Sequence, residues 1–217
     1  MITKLGRLCT PRVIHWLNAL TNYLEVGRWF RERQLEPRYV CTSRDELYRA
    51  VGREIENKRV LYLEFGVWRG YSMRFWSALL LNPDSQLHGF DSFEGLPERW
   101  DISRGRGDFS TEGAIPQIAD PRVAFHKGWF EETLPGFTLP PHDVLFVNID
   151  CDLYSSTKTI LKYLGPHIVP GTYLYFDEFA DRWNELRAFE EFIEEHGLRF
   201  SAVAATPHLA RVAFRTE

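Results

Sequence analysis

Two short stretches of this 217-residue sequence place carboxylates where they could do chemistry. "VNIDCDLYSST", Val147 to Thr157, ends an apolar run in Asp150 and Asp152. "YLYFDEF", Tyr173 to Phe179, ends a second apolar run in Asp177 and Glu178. An acid at the end of a buried strand is costly unless something compensates it. Four of them on two runs point to a crevice where carboxylates bind or react, rather than to a structural role.

A third stretch, "LEFGVWRGYS", suggests what else the crevice holds. Gly66 permits a tight turn, and Gly70 permits close approach at the start of a helix. The pattern is neither G-x-G-x-x-G nor a P-loop. Asp91 ends the next strand, 25 residues after Gly66, where an acid accepts hydrogen bonds from ribose hydroxyls. A glycine turn followed by such an acid implies an adenosine-type cofactor. No three-glycine pyrophosphate loop is present, which favours S-adenosylmethionine over a dinucleotide.

The elements that position these residues follow from hydrophobic period and punctuation. Residues 12 to 33 read as a helix. Ser43, three before Glu46, opens a second helix as a capping box, running to Glu56. Then the pattern changes. "RVLYLEFG", "SQLHGFD", "RVAFHKG", "DVLFVNID" and "TYLYFDE" read as strands, with helices over Tyr71–Leu81, Tyr154–Leu164 and Trp183–His196. Such alternation predicts a three-layer α/β domain with a parallel sheet covered on both faces. "RFSAVAAT" and "LARVAFRT" follow one another without a helix, so the sheet is expected to be mixed at one edge. Ser92 to Pro121 breaks the rhythm, and so long a connection in a compact domain reads as a lid or binding loop.

Composition narrows the classes. A formal net charge of −4 without basic blocks argues against nucleic-acid binding. No apolar run is long enough to span a bilayer, and the N-terminus lacks a signal-type apolar core. Val13, Leu17, Leu20 and Leu24 share one helical face, which suits docking on the chain's own domain or a partner subunit better than a membrane surface. Cys9, Cys41 and Cys151 form no framework, so free thiols and a cytoplasmic location are expected. Cys151 reads as a buried filler. His126 and His142 read as core or surface residues, Trp68 and Trp129 as pocket walls, and Arg104 and Arg106 as loop residues that an anionic substrate could meet.

Taken in order, "EFGVWRGYS", "GFDSFEGLPE", "KGWFEETLP", "IDCDLYSSTKTIL" and "YFDEF" resemble the macrocin O-methyltransferase family, a branch of the class I S-adenosylmethionine-dependent methyltransferases. The resemblance covers about Leu61 to the C-terminus. It implies a Rossmann-like sheet of about seven strands with the last strand antiparallel. Residues 58–217 would form the methyltransferase domain, and 1–57 a helical extension that could build a homo-oligomer. It implies O-methylation of a small hydroxylated molecule, such as a natural-product sugar, with S-adenosylmethionine and Mg2+ as cofactors. Glu64, Gly66 and Gly70 would line the cofactor's amino-acid end, Asp91 its ribose, and Ser92 and Phe93 its adenosine. Asp150, Asp177 and Glu178 would hold the metal. Asp150 would accept the proton, with Asp152 as the alternative base. The chain departs from the family at Asp177-Glu178, where two aspartates are usual, and at Gly171-Thr172, where two glycines are usual. The competing readings are an NAD-type oxidoreductase and a methyltransferase-like binding protein without activity.

Overall fold

The computed structural model describes residues 6, 7 and 9–217; residues 1–5 and 8 of the expected N-terminal extension lie outside them. The elements in chain order are α1 (Pro11–Glu32), β1 (Tyr39–Val40), α2 (Arg44–Ile55), β2 (Val60–Phe65), α3 (Tyr71–Leu79), β3 (Gln86–Asp91), β4 (Val123–Lys127), α4 (Phe130–Thr133), β5 (Val144–Ile149), α5 (Tyr154–Leu164), β6 (Tyr173–Phe176), α6 (Glu185–His196), β7 (Phe200–Ala205) and β8 (Val212–Thr216). None of the described helices is long and apolar enough to cross a membrane.

The strands form one sheet in the order β1-β7-β8-β6-β5-β2-β3-β4. Pairings are parallel except for β8, which runs antiparallel to both β6 and β7. The reversed strand therefore lies inside the sheet, between the strands that precede it, and not at an edge. An eighth strand is present because the extension itself contributes one. Tyr39 and Val40 pair with Ala204 and Ala205, a two-residue strand too short for any periodicity to announce.

β2, β5 and β6 are buried along their whole length, as strands covered on both faces must be. On one face Trp29, Phe30, Leu161, Phe189 and Phe214 pack together, joining α1, α5 and α6 to the sheet. On the other, Tyr48, Val51, Tyr62, Trp76 and Phe146 join α2 and α3 to it. α2 begins as its cap predicts. Ser43 Oγ accepts from the Glu46 amide, while the Glu46 carboxylate reaches back to the amide and hydroxyl of Thr42.

α1 meets its own domain through residues other than the expected face. The face carrying Val13, Leu17, Leu20 and Leu24 is exposed, and the helix docks instead through Val26, Trp29 and Phe30 near its C-terminus. Trp29 lies against Phe179, Phe200 and Phe214, so the helix is anchored by aromatic packing at one end only. Trp29→Ala is expected to lower the unfolding free energy by about 3–5 kcal/mol. Trp16→Ala, at the undocked end and 64% exposed, is expected to change it by less than about 0.5 kcal/mol. Urea denaturation of the two variants checks this; equal losses would contradict the one-ended anchoring.

Candidate active site

β2, β3, β5 and β6 run parallel, so their C-terminal ends share one edge of the sheet. A cleft of about 730 Å³ opens there, a size typical of small-molecule sites. Its walls include Glu64, Gly66, Asp91, Ser92, Asp150, Asp152, Asp177 and Glu178. The sheet thus gathers eight of the predicted site residues in one place. Gly70 and Phe93 stand apart. Gly70 is the left-handed residue ahead of α3 and packs against Pro116. The Phe93 ring is buried in the core, and its contribution to the site is an amide donated to Asp91 Oδ1 at 2.7 Å.

The cofactor side is built on Gly66. Its φ is +92°, and a Cβ there would stand 1.8 Å from the Asp150 carbonyl oxygen. The turn after β2 therefore rests directly on the end of β5, and only glycine fits. Asp91 Oδ2 accepts from the Val67 and Trp68 amides, both at 2.8 Å. Three backbone amides thus fix the Asp91 carboxylate at the cleft wall. Glu64 is buried, and the Tyr62 hydroxyl donates to its Oε2 at 2.6 Å. Burial pushes the Glu64 carboxyl up to about 8, against the pull of that hydrogen bond.

The acid side is crowded. Burial, reinforced by the Asp177 charge, raises Asp150 well above the usual carboxylate range and lifts Asp152 and Glu178 to about 7. Asp152 has a left-handed backbone, with φ +63°. That turns it into the cleft rather than onto the following helix, whose cap is Leu153. Asp177 is almost wholly buried and heavily engaged. Arg44 Nη2 donates to Asp177 Oδ2 at 2.6 Å, and Arg44 Nη1 lies 3.5 Å from Asp150 Oδ2. Arg211 Nε donates to Asp177 Oδ1 at 2.9 Å and Nη2 reaches Oδ2 at 3.4 Å. The Tyr175 hydroxyl also donates to Oδ1. Among the described residues, no three Asp, Glu, His or Cys side chains are grouped to hold a metal ion.

Arg44, Arg211 and Glu185 are the residues that sequence reasoning missed. Arg44 sits in a stretch legible only as a helix start, and Arg211 in a short turn before β8. Glu185, fully buried in the first turn of α6, accepts the Glu178 amide at 3.0 Å and so holds the backbone of that acid. Arg44 and Arg211 carry no local signal, because Asp150 and Asp177 lie far from them in sequence. Glu185, seven residues after Glu178, reads as an ordinary acid in the first turn of a helix.

The long connection after β3 closes the cleft from above. Leu96, Trp100, Arg104 and Phe109 line it, while Arg106 does not. Trp100 Nε1 donates to Asp181 Oδ2 at 3.0 Å, and Ser155 Oγ to Glu98 Oε1 at 2.6 Å, pinning the loop to the opposite rim. Trp68 and Trp129 are walls, as expected. Cys151 is a buried filler whose thiol burial pushes up. His126 stacks on Phe90 and meets His88, outside the cleft.

Comparison with known proteins gives the family and the fold. The family profile described as Macrocin-O-methyltransferase (TylF) matches residues 46–204. The 8-demethyl-8-(2,3-dimethoxy-alpha-L-rhamnosyl)-tetracenomycin-C 4'-O-methyltransferase of Streptomyces olivaceus is 31% identical over 147 residues, covering 54% of this chain and 52% of that enzyme. The chain spans about half to three fifths of the length of the curated relatives it matches. Among solved structures, the O-methyltransferase NovP has the same fold, with a TM-score of 0.57 and 23% identity over 78% of this chain and 75% of that one. So does a structure described as cmcI-D160 Mg-SAM, with a TM-score of 0.53 and 20% identity over 81% and 72%.

The buried Glu64 makes stability pH-dependent. In the unfolded chain this carboxyl ionises near 4.5, and in the folded chain near 8. Between those values the folded state binds the extra proton, so stability is lost as pH rises through the window. The melting temperature without ligand is expected to fall between about pH 5 and about pH 8, and Glu64→Gln to reduce that slope, the remainder coming from Asp152 and Glu178, which burial also lifts to about 7. An unchanged slope in the variant would contradict the burial of a neutral Glu64.

Proposed function

The chain belongs to the macrocin-O-methyltransferase family, and on that premise we propose that it transfers a methyl group from S-adenosylmethionine to a hydroxyl of a small molecule such as a natural-product sugar. The observation that carries this reading is the shared cleft: Glu64, Gly66 and Asp91, from the ends of β2 and β3, line the same cavity as Asp150 and Asp152, which follow β5.

The contacts support the following roles. Asp91, held by its amides, has acceptor capacity left for a ribose hydroxyl. Ser92 lies beside it at the adenosine end. Glu64 faces the cofactor's amino-acid end. There an arriving ammonium supplies the positive charge that the buried carboxyl lacks, favouring its ionised form. The glycine turn brings this end of the cofactor against the end of β5. The acceptor hydroxyl then lies beside Asp150. Its oxygen attacks the methyl carbon, the carbon–sulfur bond breaks, S-adenosylhomocysteine leaves, and the hydroxyl proton passes to Asp150. Asp150 accepts it as the carboxylate, the form that Arg44, 3.5 Å away, favours, and burial makes that carboxylate a stronger acceptor. Asp152 is the alternative base. Trp68, Trp129, Phe109 and Leu96 offer flat apolar surface for the acceptor. The docked loop excludes water and fixes orientation, which is the larger part of catalysis between two bound reactants. A relative named for the 4' oxygen of a rhamnosyl tetracenomycin supports a glycoside acceptor.

Magnesium is the second cofactor that the family resemblance implies, and a fold relative described as Mg-SAM supports the question. Asp150, Asp177 and Glu178 would be its ligands. As arranged they do not fit it, because the oxygens of Asp177 are taken by Arg44, Arg211 and Tyr175. No step above runs through a metal.

Calorimetric titration of S-adenosylmethionine into the chain is expected to show micromolar binding, abolished in Asp91→Ala while the melting temperature shows that variant folded. The absence of binding to the unaltered chain would overturn the proposal. In Asp150→Asn, methyl transfer is expected to fall by about a hundredfold or more with cofactor affinity retained. A normal rate would transfer the role of base to Asp152.

A further inference from the structure

We infer that the Arg44 guanidinium takes the place of a divalent cation in this site, so that the chain's methyl transfer proceeds without magnesium. The inference rests on the methyltransferase reading and departs from it at one point, the identity of the positive charge.

Geometry comes first. Asp177 Oδ1 accepts from Tyr175 and from Arg211 Nε, and Oδ2 from Arg44 Nη2 and Arg211 Nη2. A carboxylate offers about four lone-pair sites. All of them are directed at donors, none at an open coordination position. Arg44 also reaches from Asp177 to Asp150, with Nη1 3.5 Å from Oδ2. A planar guanidinium is suited to span two carboxylates in this way. It thereby joins the two strand ends, the task a shared metal would perform.

Charge comes second. Arg44 and Arg211 together bring two positive charges, as many as one divalent ion. Magnesium needs carboxylate oxygens and waters in a tight octahedron. To enter here it would have to displace both arginines from Asp177 or sit beside them. Glu178 alone would offer a single carboxylate, too few oxygens for that octahedron.

Chain placement comes third. Both arginines arrive from outside the parallel strands that supply the acids. Arg44 is the first residue of α2 and Arg211 immediately precedes β8. Arg44 lines the cleft with a quarter of its side chain exposed, so it is a positioning residue for Asp150 that the acceptor can approach.

The test uses manganese alone, followed by electron paramagnetic resonance, on the full chain. The unaltered chain is expected to bind no Mn2+ at millimolar concentration. Arg44→Ala is expected to bind it at least about tenfold more tightly, a change that needs only about 1.4 kcal/mol of relieved repulsion. Arg44→Ala combined with Asp177→Asn is expected to lose the gain, and Arg44→Lys to behave like the unaltered chain. S-adenosylmethionine affinity should be the same with and without chelator. Micromolar manganese binding by the unaltered chain, lost in Asp177→Asn, would overturn the inference, as would the absence of any gain in Arg44→Ala. Should Arg44→Ala fail to fold, the unaltered chain and Asp177→Asn decide between the two. Failure to bind S-adenosylmethionine would sink the functional reading instead, so the two failures are distinguishable.

Discussion

The constraint on which this structure depends is the charge that a parallel sheet concentrates at one edge. Neighbouring strands lie about 4.8 Å apart. β2, β5 and β6 therefore deliver Glu64, Asp150 and Asp177 to adjoining positions, and the turns that follow add Asp152 and Glu178. The carboxylates there are partly or wholly buried, so like charges repel more strongly than in water and desolvation favours neutral carboxyls. Two responses are visible. Glu64 gives up its charge and is held by Tyr62. Asp177 keeps two guanidinium partners.

That compensation explains the role of parts remote in sequence. α2 is anchored by Leu47, Tyr48 and Val51 against the sheet, which fixes Arg44 at its first turn. β8 runs back between β6 and β7, so the residue before it, Arg211, reaches the end of β6. Arg44 thus brings the N-terminal segment into the site. The long loop after β3 completes the enclosure, tied down at Asp181 and Ser155. An excluded-water cleft strengthens every electrostatic contact inside it and orders two reactants for in-line transfer.

Much of this was legible in the sequence, for identifiable reasons. Long apolar strands ending in acids announce themselves through composition, and Gly66 and Asp91 through spacing. Tyr154–Leu164 matches its expected bounds because its amphipathic period is clean. Other features left no local trace. β1 is two residues long. The position of β8 inside the sheet depends on which edge is open, which no period encodes. Arg44 lies 106 residues before Asp150, and only the tertiary fold brings them together. Phe93 is placed beside the adenosine by the family resemblance, but its left-handed backbone, φ +60°, accompanies a ring buried in the core.

The most direct test of the account is a crystal structure of the chain with S-adenosylhomocysteine. The account predicts the ribose hydroxyls on Asp91, the amino-acid end at Glu64 beside the Gly66 turn, and the sulfur facing Asp150 across a space that an acceptor hydroxyl can occupy. A cofactor bound elsewhere, or bound with its sulfur turned from Asp150, would contradict it.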